Sequence, residues 1–136
     1  MTMMAPVRAI VERPYRISLL AGPAAAAQAR RHVGAIIRAW AVPVDAYTAA
    51  LLTSELVTNA IRHASDEHDA IELVVSWTGG LLRVEVHDGS RSAPARVHAL
   101  PYAEAGRGLM LLESLSTSWG YRETARGKAV YFTLSP

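Results

Sequence analysis

The sequence predicts an α/β fold: a two-layer sandwich with a mixed, mainly antiparallel sheet and helices on one of its faces. Three observations carry this. Two hairpin patterns are present, which implies antiparallel pairing. Helical stripes separate the first strand from the first hairpin and that hairpin from the second. The resulting order, β-α-α-β-β-α-β-β, interleaves the two element types as one layered unit. At 136 residues the chain has the length of one domain.

Each element has a local reason. Residues 1–14 read as a flexible tail and residues 15–136 as a single domain. Tyr15 to Ala21 is a short apolar run suited to a strand. Gly22-Pro23 opens a helix, since proline at the first helical position costs little. Ala29, Val33, Ile36, Ile37 and Trp40 recur at helical spacing, and Pro43 ends the run. Asp45 is placed to cap a second helix reaching to about Ala64, with Leu51, Val57 and Ile61 holding it to the core. Ile71, Leu73, Val75 and Trp77 alternate, Gly79-Gly80 turns the chain, and Leu82, Val84 and Val86 alternate again. Between Ser90 and Ala105 two prolines appear and no period does. A third helix is expected to start after Gly106-Arg107-Gly108, with Leu109, Leu112 and Leu115 on its apolar side. Trp119–Glu123 and Ala129–Leu134 close the sheet around Gly127-Lys128.

Composition excludes several functions. With no cysteine, disulfides, thiolate metal sites and thiol nucleophiles are ruled out. A net charge of +2 is too even for a protein that binds nucleic acid by bulk charge, so no direct nucleic-acid contact is expected. No apolar run approaches the ~20 residues that span a bilayer, so no membrane association is expected. Arg13 and Arg16 precede a short apolar stretch, but Gly22-Pro23 interrupts it before the ~7–15 residues of a signal peptide. A cytoplasmic location is the expectation.

Four local features carry chemistry. On the second helix, Glu55, Asn59 and His63 stand four residues apart and share one face. An acid and an amide one turn apart can both turn oxygens toward a hard cation such as Mg2+, although an isolated stripe of this kind is usually a solvated face. Asp88 has the parity of Leu82, Val84 and Val86 and so points toward the core, where a carboxylate needs donors. A ligand amino group would serve. The competing reading is a cap on the following turn, which Asp-Gly often forms. Gly89 would permit unusual dihedrals or the close approach of a ligand. Gly106, Arg107, Gly108 and Leu109 stand at a helix start, where free N–H groups and the helix dipole favour an anion. The stretch from Ser90 to Ala105 lies between those last two features, as a lid would. His32, His68 and His98 share no metal spacing, and Glu72 and Glu85 alternate outward on their strands.

The order of these features is more specific than any one of them. E-x-x-x-N-A-x-R-H, an inward D-G after a strand, a loop, G-R-G-L opening a helix, and G-K-A-V before the last strand follow one another. This resembles the GHKL, or Bergerat-fold, ATPase superfamily, and more closely its anti-sigma-factor serine kinase branch, especially the small actinobacterial members. The resemblance spans about Tyr15 to Leu134. It implies ATP and Mg2+ as cofactors, with Asn59 binding the metal and Glu55 as general base. Asp88 would take the adenine amino group, and Gly106, Arg107 and Gly108 would cradle phosphate. His63, Gly89 and Leu109 match the motif at the nucleotide. Partners would be a sigma factor and a small anti-anti-sigma (STAS-type) protein, phosphorylated on serine. Related kinases form homodimers through the N-terminal region, which here offers Tyr15–Ala21 and the first helix with Trp40. Two departures matter: the superfamily's D-x-G-x-G is Asp88-Gly89-Ser90-Arg91-Ser92 here, and the expected lid is short, which implies ready nucleotide exchange or closure that depends on a partner.

Two rivals accompany this expectation. A nucleotide-dependent binding module could sequester a partner without transferring phosphate, although Glu55 would then have no use as a base. The catalytic part of a histidine kinase is expected less, since no phosphoacceptor helices precede Tyr15 in this sequence.

Overall fold

The computed structural model describes residues 13–90 and 104–136, and of residues 104–109 the backbone alone. Its strands are β1 (Tyr15–Leu20), β2 (Ala70–Thr78), β3 (Leu81–Asp88), β4 (Ser118–Glu123) and β5 (Lys128–Leu134). Its helices are α1 (Ala25–Ala39), α2 (Ala46–His63) and α3 (Glu104–Leu115). The sheet order is β1-β2-β3-β5-β4, and every described pairing is antiparallel. The tail lies almost wholly outside the described residues, as does nearly all of the expected lid.

Turn and cap chemistry explains most boundaries. Gly79 and Gly80 have φ of 61° and 78°, the left-handed pair that a two-residue hairpin of right twist requires. Asp45 caps α2 as expected, accepting from the Thr48 amide at 3.0 Å and its hydroxyl at 2.6 Å. α1 begins at Ala25, two residues beyond Pro23, and no side chain caps it. At its other end Val42 N–H donates to the Ile37 carbonyl and Ala41 N–H to that of Arg38. That is a Schellman closure, which puts Ala41 in the left-handed region at φ 53°.

The core lies between the helices and one sheet face. Ala29, Val33, Ile36 and Ile37 of α1 are buried as their spacing predicts, with Trp40 half-buried against them. α2 differs from expectation: Leu52 and Leu56 carry its core contact with Val57, while Leu51 is only half-buried. The reason is geometric. α2 packs against α1, α3 and the sheet, so its apolar arc is wider than one stripe. In α3 Leu112 is buried and Leu115 is 41% exposed, against the predicted Leu112–Leu115 stripe.

α3 also starts earlier than the glycine pattern suggests, at Glu104, so Gly106 to Leu109 fall inside the helix. Gly106 lies in the first turn, where the N–H groups have no intrahelical partner, whereas Gly108 lies in the second turn, so the glycine pair does not mark the boundary.

Candidate functional site

The last turn of α2, the end of β3 and the start of β5 meet at one edge of the sandwich, so of the α2 stripe His63 is the residue that reaches this meeting point. Antiparallel pairing sets Asp88 directly opposite Lys128, and both side chains take the inward parity. Lys128 Nζ donates to Asp88 Oδ1 at 3.0 Å and Oδ2 at 2.8 Å. The two side chains are 2% and 3% exposed. Nζ also lies 3.2 Å from His63 Nδ1 at the last turn of α2. An ammonium has three donors and no acceptor, so Nδ1 is the acceptor and the imidazole is neutral, with its proton on Nε2. Burial, reinforced by the Lys128 charge and opposed by Asp88, holds the His63 pKa below its ordinary value. Such a pair is a poor source of net stability, but removing one partner typically costs ~3–5 kcal/mol because a buried charge is stranded.

Asp88 therefore differs from its expected state. It points inward as predicted, but the donor it needs comes from the chain itself. The Ser90 amide also donates to Oδ1 at 2.8 Å, so the turn-capping reading holds as well. Lys128 escaped sequence reasoning because Gly127-Lys128 read as a turn. Two signals point to it: it is the single lysine among fourteen basic residues, and it shares the parity of Val130, Phe132 and Leu134.

The glycine argument moves from residue 89 to residue 127. A Cβ on Gly89 would meet nothing closer than the Arg126 carbonyl at 3.8 Å, and its φ is not left-handed. The fold does not demand glycine there. A Cβ on Gly127 would stand 2.1 Å from the Asp88 carbonyl oxygen and 2.6 Å from the Gly89 carbonyl carbon. Only glycine lets β5 enter flush against the end of β3, and that contact sets Lys128 against Asp88.

Farther up α2, Asn59 Oδ1 is buried with no hydrogen-bond partner, the one such side-chain atom among the described residues. A buried orphan acceptor is costly, about 1–3 kcal/mol, and is rare in native folds. It lies one turn from His63 and one turn from Glu55. A hard oxygen donor left vacant beside a carboxylate suits Mg2+. Among the described residues no cluster of three or more His, Asp or Glu could hold a metal by itself. A cation here would rest on Asn59 and on oxygens supplied by a ligand.

A small cavity of about 80 Å³ is lined by His63, Ser65, Asp69, Ile71, Asp88 and Gly89, among others. A larger hollow of about 460 Å³ opens on the other side of Asp88, toward Glu72, His87 and Arg126. Of the α2 stripe, His63 lines the small cavity, and no α2 residue lines the larger one. The phosphate-cradling side chains expected at 106–109, and the lid, lie outside the described residues.

The solvent-side sheet face also corrects an expectation. Glu85 points outward, yet it is only 8% exposed. It accepts from Arg83 at 2.7 and 2.9 Å, and a His87 ring nitrogen lies 2.8 Å away. The Arg83 guanidinium stacks 3.8 Å above the Tyr131 ring.

A family model, the histidine kinase-like ATPase domain, matches residues 19–134. No curated protein matches the sequence at a significant level. Among solved structures, the RsbU and RsbW domains of Rv1364c from Mycobacterium tuberculosis align with a TM-score of 0.63 at 21% identity. That alignment covers 90% of this chain and 32% of the other, so the present sequence spans about a third of its length. At such identity the likeness is one of fold.

Proposed function

The chain belongs to the histidine kinase-like ATPase domains, and from that premise we propose that it is an ATP-binding, anti-sigma-factor-like protein serine kinase. In this reading it binds a sigma factor and phosphorylates a small anti-anti-sigma protein of STAS type. The observation that carries it is the vacant, buried Asn59 oxygen one helical turn from Glu55, on the face that ends at the Asp88 cavity. Asn59 would hold Mg2+, which when bound neutralises charge on the phosphates. Glu55 would accept the proton of the substrate serine. Asp88 would take the amino group of adenine, and the first turn of α3 would offer backbone N–H groups to phosphate. A cytoplasmic protein fits this role, and no described helix is long and apolar enough to cross a membrane.

β1 is a sheet edge and Leu20 at its end is 57% exposed, which supports a homodimer built through β1 and α1. Sedimentation would read a monomer if that part is wrong. The test of the kinase uses the full chain with a partner captured from the native host. Mg-ATP should phosphorylate it, and Glu55→Ala should cost transfer by ~10²–10⁴-fold while leaving ATP affinity nearly intact. A specific observation favours a second reading, a binding module without transfer: Ser90 and Ser92 replace the motif's glycines. If the wild type binds ATP and partner yet moves no phosphate, the module is correct.

A further inference from the structure

We infer that Lys128 is the positioning residue that keeps Asp88 a pure hydrogen-bond acceptor, and so sets the preference for an amino-bearing purine over its 6-oxo counterpart. This deepens the reading of Asp88 as the residue that meets the base. A carboxylate offers four lone-pair positions. Oδ1 accepts from the Ser90 amide and from Lys128, and Oδ2 accepts from Lys128. One position is left, on Oδ2. Lys128 lines neither cavity that borders Asp88, whereas Asp88 lines both. The ammonium therefore acts from behind the carboxylate, and the remaining position is the one a ligand can reach.

What that position selects depends on charge. An ionised carboxylate accepts only and suits the 6-amino group of adenine. A protonated carboxyl carries a donor and suits the 6-oxo group of hypoxanthine. A carboxylate this deeply buried keeps its charge only while a counter-charge faces it. Among the described residues that counter-charge is Lys128 from β5. The other facing groups are neutral His63 with Arg62 on α2, Asp69 across the small cavity, and Glu72, His87 and Arg126 around the larger hollow, while Ala70 and Ile71 from β2 are apolar. Lysine suits the place better than arginine: its three donors meet three acceptors, the two Asp88 oxygens and His63 Nδ1.

The test measures ATP and ITP affinity of the full chain by calorimetry, from weakly acidic to weakly alkaline pH. The two nucleotides differ in the base alone, at position 6, where oxo replaces amino, and at the adjacent N1, which carries a hydrogen only in the 6-oxo base. The wild type should prefer ATP by about 10- to 100-fold, the worth of one hydrogen bond to a charged group. Lys128→Met should lose that preference as pH falls and regain part of it as pH rises. Lys128→Arg, which keeps the charge, should retain it throughout. His63 can also take a proton, so the series is repeated in a His63→Gln background, where the same loss is expected. Should Lys128→Met not fold, Lys128→Gln decides, since it keeps an N–H donor without charge. A folded, uncharged variant with the wild-type ratio at every pH overturns the inference, as does an equal loss of both nucleotides with no pH dependence. If the wild type binds both nucleotides without preference, the base-reading role of Asp88 itself fails.

Discussion

Replacing Asn59 by leucine should make the empty protein more stable and the loaded protein less so. In the structure Asn59 Oδ1 is buried with no partner. An unsatisfied buried acceptor costs about 1–3 kcal/mol, whereas an apolar group of similar shape can be neutral or favourable in its place. Leucine is also the better helix former at an interior position of α2, by a few tenths of a kcal/mol. Some of this is offset by whatever the amide nitrogen donates to, so a net gain of about 1 kcal/mol is expected. For a domain of this size that is a rise in Tm of about 3–5 °C. Magnesium-nucleotide at ~100 times its Kd should stabilise the wild type by about 2.7 kcal/mol. The variant should lose most of that increment, because the oxygen that would meet the metal is gone. Thermal unfolding followed with and without Mg-ATP reads both effects, and the two curves should cross. A variant less stable than wild type when empty would mean that the oxygen is satisfied in solution. An undiminished Mg-ATP increment would remove Asn59 from the metal site.

Three further outcomes follow from the same geometry. Gly127→Ala forces a Cβ to within 2.1 Å of the Asp88 carbonyl, where only backbone could yield. A loss near or above the upper end of the ~1–3 kcal/mol overpacking range is expected in chemical denaturation. A loss below about 1 kcal/mol would show that β5 can enter the sheet another way. Ala41→Gly relieves a left-handed alanine at φ 53° and should raise stability by up to about 1 kcal/mol, also read in urea. Glu85 is held at about 2 against 4.5, first by the His87 hydrogen bond and then by Arg83, in opposition to burial. A lowered carboxyl stabilises the fold above its unfolded value and loses that as pH falls, so acid unfolding between about 4.5 and about 2 should be shallower in Glu85→Gln. Equal slopes in the two proteins would contradict the assignment.

The parts legible in the sequence are those fixed by local periodicity. Alternation in β3 gives the inward parity of Asp88, spacing on α2 gives the shared face of Glu55, Asn59 and His63, and Gly79-Gly80 gives the hairpin. Phase is less legible where an element is covered on several sides, which is why Leu52 and Leu56 carry the α2 core contact that Leu51 was expected to share. Glycine chemistry misleads when a residue is read by its motif rather than by its neighbours. Asp-Gly drew attention to Gly89, but the crowded Cα is that of Gly127, nearly forty residues on.

The identity of the Asp88 partner is illegible for a deeper reason. β5 pairs with β3 across an intervening helix and strand, so the register that brings Lys128 to Asp88 is a tertiary fact. The sequence supplies a carboxylate with inward parity and a lysine with inward parity, and nothing local says that they meet. Once they do, the site changes character. An isolated inward carboxylate would need a ligand to be tolerated, whereas a paired one is stable when empty and has one acceptor position left. Gly127 then becomes part of the binding logic through position alone. By letting β5 enter flush, it sets the ammonium at 2.8–3.0 Å from the carboxylate oxygens that the base would meet.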